Sequence, residues 1–233
     1  MQIKLFEIEF DIFENVYFPR EDTELAFDSI KRWVNRSEIQ HQTSKKKRIK
    51  ILDMGSGTGI LGIASFFQFK SIFKEIEVVF ADIFDKAIEC IKFNVVRHLP
   101  NGTYKIIKTD LFSADFFNNE IKFDIIIFNA PYLPGIEDEI YGDSPIKPED
   151  LCWYGGKEGF ETTIKFIEQI PRYIEANGIL FLTSSSQTNQ TPIIEKLNQN
   201  SFQIVEKREM RVDFETIFEY ICIFKAERKN EQE

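Results

Sequence analysis

The residues of this chain best suited to chemistry are a glycine-rich turn and the aspartate before it. Asp53 lies in the apolar segment 51–54, and Gly55, Gly57 and Gly59 follow at alternate positions. Such glycines permit positive φ and remove the Cβ atoms that would collide with a ligand lying over the turn. The N–H groups at the start of a following helix would face the same spot. We expect a small ligand to bind against this backbone.

Aspartates also close the two strands predicted next along the chain. Asp82 ends the second strand and Asp110 the third, so three successive strands carry a carboxylate at one edge of the sheet. Open α/β sheets bind their ligands at this edge. Asp53 suits a cationic ammonium group, and the two oxygens of Asp82 suit the two hydroxyls of a ribose. A helix N-cap would account for any one aspartate, but three beside a glycine turn favour a ligand site.

A second chemical feature is the tetrapeptide Asn129-Ala130-Pro131-Tyr132, which follows the strand predicted at 123–128. The Asn129 side-chain oxygen and the carbonyl of residue 130, held side by side by Pro131, offer two acceptors to one NH₂ group. Accepting both N–H bonds favours the geometry in which the nitrogen lone pair leaves conjugation and points at an electrophilic carbon. Tyr132 is placed to stack on a flat acceptor. We expect Asn129, Pro131 and Tyr132 to carry a transfer to nitrogen.

The hydrophobic pattern predicts the elements that must position these residues. Short half-buried strands are expected within 1–18 and a helix at 23–34. Buried strands are predicted at 49–54, 76–82, 104–108, 123–128 and 178–184, with helices at 59–69, 85–98, 157–173 and 190–199. Strands at 202–211 and 214–225 should form an antiparallel hairpin at one edge. The sequence therefore predicts a doubly wound α/β fold with a mostly parallel, seven-stranded sheet.

Composition and charge narrow the class of protein. The 233 residues, 43% of them hydrophobic, are enough for a self-sufficient core and exclude a disordered chain. With 29 Lys and Arg against 38 Asp and Glu, the net charge of −9 makes nucleic acid an unlikely partner. Cys90, Cys152 and Cys222 are far apart and accompanied by only two histidines, so no metal site is expected. We expect a cytoplasmic protein, because neither a signal peptide nor a membrane-spanning run is recognisable.

The motifs DMGSGTG, FADIFDKA and KTDLF, in this order, resemble the cofactor loops of class I S-adenosylmethionine-dependent methyltransferases. The resemblance covers about residues 15–225 and implies a Rossmann-like fold and S-adenosyl-L-methionine as the cofactor. It implies that Asp53 and Gly55 bind the methionine end and that Gly57 and Gly59, in the same turn, also bind the cofactor. It further implies that Asp82 binds the ribose, and that Asp110 and Leu111 bind the adenine.

NAPY resembles the Asn-Pro-Pro-Tyr motif of methyltransferases that act on amino groups of glutamine, adenine or guanine. It implies that Asn129 contacts both the acceptor and the cofactor. Ala130 replaces the first proline of that motif, so the turn loses one φ restraint while Asn129, the carbonyl of residue 130 and Pro131 remain. We expect methyl transfer to survive this difference.

Two further segments resemble the glutamine methyltransferases that modify peptide-chain release factors. In VYFPREDTELAFD the residue Thr23 would contact the cofactor, and CWYGGKEGF carries the Trp-x-Gly-Gly-x-x-Gly pattern of the same family. Both indicate the short archaeal and eukaryotic branch, without the helical domain that precedes the core in the bacterial branch. That branch implies a small zinc-binding activator protein as a partner. The acidic segment 135–150 is either a solvated loop or a surface that receives a basic loop, such as the Gly-Gly-Gln region of a release factor.

The favoured prediction is therefore a protein-glutamine methyltransferase acting on a release factor. We expect one methyltransferase domain over 1–233, with a cofactor-covering segment at 1–34, a polar connector at 35–48, a core at 49–225 and a charged tail at 226–233. One alternative is methylation of adenine or guanine in RNA or DNA, which is supported only by the basic run 45–48. Others are a non-catalytic cofactor-binding subunit and, from the spacing Gly57-x-Gly59-x-x-Gly62, a nicotinamide dehydrogenase.

Overall fold

A computed structural model describes residues 1–35, 48–118, 120–135, 152–213 and 218–228. Most of the predicted polar connector, nearly all of the acidic segment 135–150 and most of the charged tail lie outside these ranges. The predictions made for those three segments therefore concern residues that the structure does not describe.

A seven-stranded sheet forms the centre of the molecule. Its strands are β3 (Arg48–Met54), β4 (Glu75–Asp82), β5 (Thr103–Lys108), β6 (Phe123–Phe128), β9 (Ile174–Ser185), β10 (Phe202–Asp213) and β11 (Phe218–Arg228). They lie in the order β10-β11-β9-β6-β3-β4-β5. The five strands from β9 to β5 pair in parallel, while β11 is antiparallel to both of its neighbours. The order reverses beside β3, where an open sheet forms a crevice at its carboxyl edge.

Helices cover both faces of this sheet, which confirms the predicted doubly wound α/β fold. They are α1 (Glu21–Val34), α2 (Ile60–Phe69), α3 (Asp85–His98), α4 (Glu161–Gln169) and α5 (Thr191–Gln199). One hydrophobic cluster joins the sheet to α1, α2 and α3, and a second joins the other face to α4 and α5. Along β3 the alternation sends Ile51 to the first cluster and Leu52 to the second, which directs Asp53 towards α2.

Three smaller features refine the predicted elements. The strands expected near the N-terminus are β1 (Gln2–Leu5) and β2 (Ile8–Asp11), and they form an antiparallel pair of their own. The last two strands make the expected hairpin at the edge of the sheet. Strands β7 (Leu133–Pro134) and β8 (Tyr154–Gly156) form a short parallel pair that the sequence did not predict.

The helix predicted at 157–173 is shorter than expected. The α-helix begins only at Glu161, because Gly156 and Gly159 have φ of 114° and 83°, outside the helical region. Its end tightens into a 3₁₀ turn at Ile170–Arg172, where Pro171 has no N–H to continue the α-helical hydrogen bonds. The residues at 153–159 are therefore free to pack elsewhere.

Within the described ranges, no helix combines the length and the apolar character needed to cross a lipid bilayer.

Candidate active site

A cavity of about 630 Å³ opens at the carboxyl edge of the sheet, and every predicted site residue lines it except Gly59. The lining residues that the sequence predicted are Thr23, Asp53, Gly55, Gly57, Asp82, Asp110, Leu111, Asn129, Pro131 and Tyr132. They come from the start of α1 and from the ends of β3, β4, β5 and β6. One crevice thus holds both the carboxylates and the asparagine.

The structure does not bring Gly59 into the lining of this cavity. Gly59 directly precedes α2 and has a φ of 80°, a conformation that side-chain-bearing residues rarely adopt. Its observed part is to turn the chain into the helix, which sets where the N-terminus of α2 lies.

Asp53 is completely buried at the base of the cavity. Its Oδ2 accepts a hydrogen bond of 2.8 Å from the N–H of Gly62 in α2. Burial raises the pKa of Asp53 to about 7, because desolvation disfavours the carboxylate more than the Gly62 hydrogen bond favours it. A cation placed against Asp53 would therefore bind better as the pH rises and the carboxylate becomes ionised.

Gly62 is required because an added methyl group has no room. A Cβ at this position would lie 2.4 Å from the ring of Phe80 and 2.9 Å from Asp53 Oδ2. These distances are closer than Cβ contacts in folded proteins allow. The missing side chain is what lets the N–H of α2 reach the carboxylate.

Gly62→Ala should lower the free energy of unfolding by about 1–3 kcal/mol, the usual cost of overpacking. In an unobstructed helix the same change would instead stabilise the protein by up to about 1 kcal/mol. Chemical denaturation of the two proteins measures the difference. Gln68→Ala, on the same helix and outside the cavity, is the control, with an expected change within about 0.5 kcal/mol. Stabilisation by Gly62→Ala would contradict the crowding described here.

Asp82 holds the glycine turn as well as facing the cavity. Its Oδ2 accepts from the N–H of Gly57 at 2.8 Å and its Oδ1 from the N–H of Phe84 at 3.0 Å. Desolvation raises the pKa of Asp82 in spite of these backbone hydrogen bonds. Each carboxylate oxygen has a second lone pair, so both can still accept from a ligand hydroxyl.

Ser56 ties the glycine turn to β4. Its N–H donates to the carbonyl of Ala81, and the N–H of Ala81 donates back to Ser56 Oγ at 3.0 Å. The hydroxyl also donates to the carbonyl of Asp53 at 2.6 Å. The turn is therefore preorganised for a ligand, with its backbone already fixed.

Asp110 and Leu111 form the far wall, after β5. Asp110 is exposed, and Leu111 has a φ of 48°. Thr109 Oγ1 donates to the carbonyl of Leu111 at 2.9 Å and accepts from the N–H of Ala114 at 3.1 Å. These bonds hold the left-handed conformation of Leu111 and so fix the direction of this wall.

Asn129, at the end of β6, makes one observed side-chain hydrogen bond. Its Nδ2 donates to Asp22 Oδ2 at 3.0 Å. Its Oδ1 is buried, and no donor in the described part of the chain lies within hydrogen-bonding distance of it. Buried acceptors without a partner are rare in folded proteins, and in a cavity wall such an atom marks a place for a ligand donor.

The segment 153–159 packs against the backbone of the NAPY turn. A Cβ on Gly155 would lie 2.6 Å from the carbonyl oxygen of Pro131, and one on Gly159 would lie 2.7 Å from that of Tyr132. Thr188 Oγ1 donates to the same Tyr132 carbonyl. The glycines thus allow the two backbones to meet, whereas the sequence marked them only as part of the Trp-x-Gly-Gly-x-x-Gly pattern.

Sequence reasoning missed Tyr17 and Asp22. Both line the cavity, and the Tyr17 hydroxyl donates to Asp22 Oδ2 at 2.7 Å. Burial and the adjacent Asp22 carboxylate raise the pKa of Tyr17, so this hydroxyl stays protonated and remains a donor. The available signal was their place in VYFPREDTE beside Thr23, but local spacing does not reveal that Asp22 faces Asn129.

The described residues contain no group of three or more His, Cys, Asp or Glu side chains arranged to hold a metal ion. Trp153, which is 41% exposed, lies with Glu161 and Lys165 in the lining of the same cavity. These side chains provide an apolar surface and charges of both signs beside the NAPY turn.

Curated proteins of similar sequence include glutamine methyltransferases. The chain is 30% identical over 93% of its length to 96% of a candidate protein N5-glutamine methyltransferase from Methanocaldococcus jannaschii. It is 24% identical over 88% of its length to 87% of the catalytic subunit of an eRF1 methyltransferase from Schizosaccharomyces pombe. A release factor glutamine methyltransferase from Borreliella burgdorferi is 29% identical over 76% of this chain and 56% of that protein.

The fold agrees with this family. A solved structure of a candidate class I S-adenosylmethionine-dependent methyltransferase from Listeria monocytogenes has a TM-score of 0.61, at 16% identity over 96% of this chain and 64% of that chain. Residues 37–141 match the family described as "Methyltransferase small domain". With the similarity to the archaeal relative extending over nearly the whole of both chains, the protein belongs to the protein N5-glutamine methyltransferase family.

Proposed function

We propose that the protein transfers a methyl group from S-adenosyl-L-methionine to the side-chain amide nitrogen of a glutamine in a peptide-chain release factor. The observation that carries this is the buried Oδ1 of Asn129, which has no hydrogen-bond partner among the described residues and lies in the wall of the cavity that also holds the aspartates. A side-chain amide supplies the N–H donor that this atom lacks. The Borreliella burgdorferi relative, which is named a release factor glutamine methyltransferase, supports the same acceptor.

The charge of the cavity fits the cofactor. Burial raises the pKa of both Asp53 and Asp82, and neither carboxylate forms an ion pair with a described lysine or arginine. Such acids are stabilised as carboxylates by a cationic ligand. When bound, S-adenosyl-L-methionine supplies a methyl group on a positively charged sulfur and an ammonium group. Asp53 and Gly55 would hold its methionine end, Asp82 its ribose, and Asp110 with Leu111 its adenine.

The acceptor amide would be oriented by the NAPY turn. Asn129 Oδ1 and the carbonyl of Ala130 would each accept one N–H of the glutamine side chain, while Tyr132 lies beside its plane. Holding both N–H bonds takes the nitrogen lone pair out of conjugation and directs it towards the methyl donor. The nitrogen becomes cationic as it gains the methyl group, and it would then release one of its two protons to water. No ionised base has to begin the reaction.

The N-terminal segment would complete the site. Tyr17, Asp22 and Thr23 line the same cavity as the glycine turn. We infer that residues 1–34 cover the cofactor and belong to a single domain formed by residues 1–233. A basic loop of the release factor would then approach beside Trp153, where the sequence continues from the acidic segment 135–150.

The test uses the purified full chain, labelled S-adenosyl-L-methionine and two acceptors, a release factor and total RNA. We expect label on the release factor, at a glutamine located by mass spectrometry of its peptides. Labelled RNA with an unlabelled release factor would overturn the proposal in favour of nucleic-acid methylation. A further arm adds a small zinc-binding activator protein, because the fission yeast relative is named a catalytic subunit. Cofactor binding without transfer in every arm would indicate a non-catalytic subunit.

A further inference from the structure

Asp22 is a buried carboxylate that collects hydrogen bonds from both sides of the cavity. It is 2% exposed, and its Oδ2 accepts from Tyr17 Oη at 2.7 Å, from Asn129 Nδ2 at 3.0 Å and from Tyr132 Oη at 3.3 Å. Its Oδ1 accepts from the backbone N–H of Thr23 at 2.6 Å and from Thr23 Oγ1 at 3.1 Å. The start of α1 is thereby joined to the end of β6, although Asp22 and Asn129 are 107 residues apart.

An asparagine side chain has two orientations that differ only in which end carries the oxygen. A carboxylate only accepts hydrogen bonds, so Asp22 selects the orientation in which Nδ2 faces it. The other orientation would place Asn129 Oδ1 against the Asp22 oxygen and would turn the NH₂ donors towards the acceptor site. The NH₂ group of an amide substrate also consists of donors. In this second orientation the NH₂ of Asn129 would therefore face the NH₂ of the substrate, and no hydrogen bond could form.

Donation to a carboxylate also strengthens the opposite end of the amide. Hydrogen bonds in a chain polarise one another, and the effect is larger at a buried group such as Asp22, which is 2% exposed. The bond increases the negative charge on Asn129 Oδ1. That oxygen then accepts more strongly from a substrate N–H whose nitrogen becomes positive as it gains a methyl group.

We propose that Asp22 is a positioning residue that fixes the orientation of the Asn129 side chain, so that Oδ1 is kept as the acceptor for the substrate amide. The proposal rests on the proposed glutamine methylation for its catalytic consequence. It does not rest on it for the orientation itself, which exists in the free protein.

Asp22→Asn is the informative change, because it keeps the size of the side chain. An asparagine at position 22 offers both a donor and an acceptor, so Asn129 is no longer held in one orientation. We expect kcat for release-factor methylation to fall about 10- to 100-fold, as for other supporting residues of an active site. The Kd of S-adenosylhomocysteine, measured by calorimetry, should stay within about threefold of the wild-type value.

Asp124→Asn is the matched control. Asp124 lies on β6, the strand that leads to Asn129, and its Oδ2 accepts from the N–H of Lys50 outside the cavity. We expect kcat of this variant to remain near that of the wild type. A less than threefold fall of kcat in Asp22→Asn would overturn the proposal. A loss of cofactor affinity as large as the loss of kcat would also overturn it, because Asp22 would then act on the cofactor.

A measurement on the free wild-type protein tests the orientation without requiring Asp22→Asn to fold and without any acceptor. In ¹⁵N-labelled protein the side-chain NH₂ signals of Asn129 can be assigned by their loss in Asn129→Ala. One of the two protons should exchange slowly with water in the wild type, and fast exchange of both would overturn the proposal. Slow exchange together with a wild type that methylates no release factor would refute the proposed substrate and leave the orientation established.

Discussion

Asn129→Ala should lower kcat for glutamine methylation about 10²- to 10³-fold, close to 3 kcal/mol of transition-state stabilisation. The wild-type side chain is fixed by its Nδ2 bond to Asp22, and its buried Oδ1 has no partner in the described chain. The free protein thus already holds an acceptor that is satisfied only when a donor enters. Alanine removes this acceptor and leaves the carbonyl of Ala130 to orient the amide alone.

The effect should appear in kcat more than in cofactor affinity. The carboxylates that suit the cofactor lie on β3 and β4, and their hydrogen bonds do not involve Asn129. We expect S-adenosylhomocysteine to bind Asn129→Ala within about tenfold of the wild-type Kd. Steady-state methylation of a release factor and calorimetry separate the two quantities.

Asn101→Ala is the control for Asn129→Ala. It is the same substitution at an exposed position outside the cavity, and we expect wild-type kcat. Full methylation by Asn129→Ala would remove Asn129 from the mechanism. It would also leave the unpartnered oxygen without the function assigned to it.

The sequence allowed the prediction of those site residues that follow directly from strand ends. Asp53, Asp82 and Asp110 could be placed at one edge because buried strands and a glycine turn have strong local patterns. Parallel pairing then brings their carboxyl ends together without further information, and Asn129 follows the same rule at the end of β6. The cavity therefore contains the residues that a topological argument alone would collect.

Long-range packing could not be predicted in the same way. The bond between Asp22 and Asn129 depends on how α1 crosses the end of β6, and no local pattern encodes that crossing. The contact of Gly155 and Gly159 with the NAPY backbone likewise requires the parallel pair of β7 and β8. From the sequence these glycines could be recognised only as part of the Trp-x-Gly-Gly-x-x-Gly pattern. In the structure they contact the NAPY backbone, and α4 begins only after them, at Glu161.

Asp53→Asn should stabilise the free protein while weakening its hold on the cofactor. Burial raises the pKa of Asp53 to about 7 in the folded state, from an ordinary value of 3.8. Between these two values the folded protein binds a proton that the unfolded chain does not. The contribution of Asp53 to stability is therefore lost as the pH rises towards 7, where the folded protein must bury a charge.

Asparagine is neutral at every pH and can still accept from the N–H of Gly62. The two proteins should therefore unfold with similar free energies near pH 4, close to the ordinary pKa of 3.8, where Asp53 is protonated in the folded protein and the unfolded chain has lost only about half a proton. Above pH 7 the variant should be more stable by on the order of 2–4 kcal/mol. Denaturant unfolding from pH 4 to pH 8 measures this difference, with the exposed Asn101→Ala, which changes no titratable group, as the control. An increase in the stability of the wild type relative to Asp53→Asn as the pH rises would contradict the raised pKa of Asp53.

Cofactor binding should offset most of this difference in stability. An ammonium group beside Asp53 favours the carboxylate, so the Kd of S-adenosylhomocysteine for the wild type should fall as the pH rises from 5 to 7 and then level off. Asp53→Asn should bind about 100-fold more weakly, with little dependence on pH over this range. Ligand at 100 times the Kd raises the free energy of unfolding of the wild type by about 2.7 kcal/mol. This increase is similar in size to the stabilisation that the neutral asparagine gives the ligand-free variant. The cost of burying Asp53 without a ligand is thus the consequence of a site built to receive a cation.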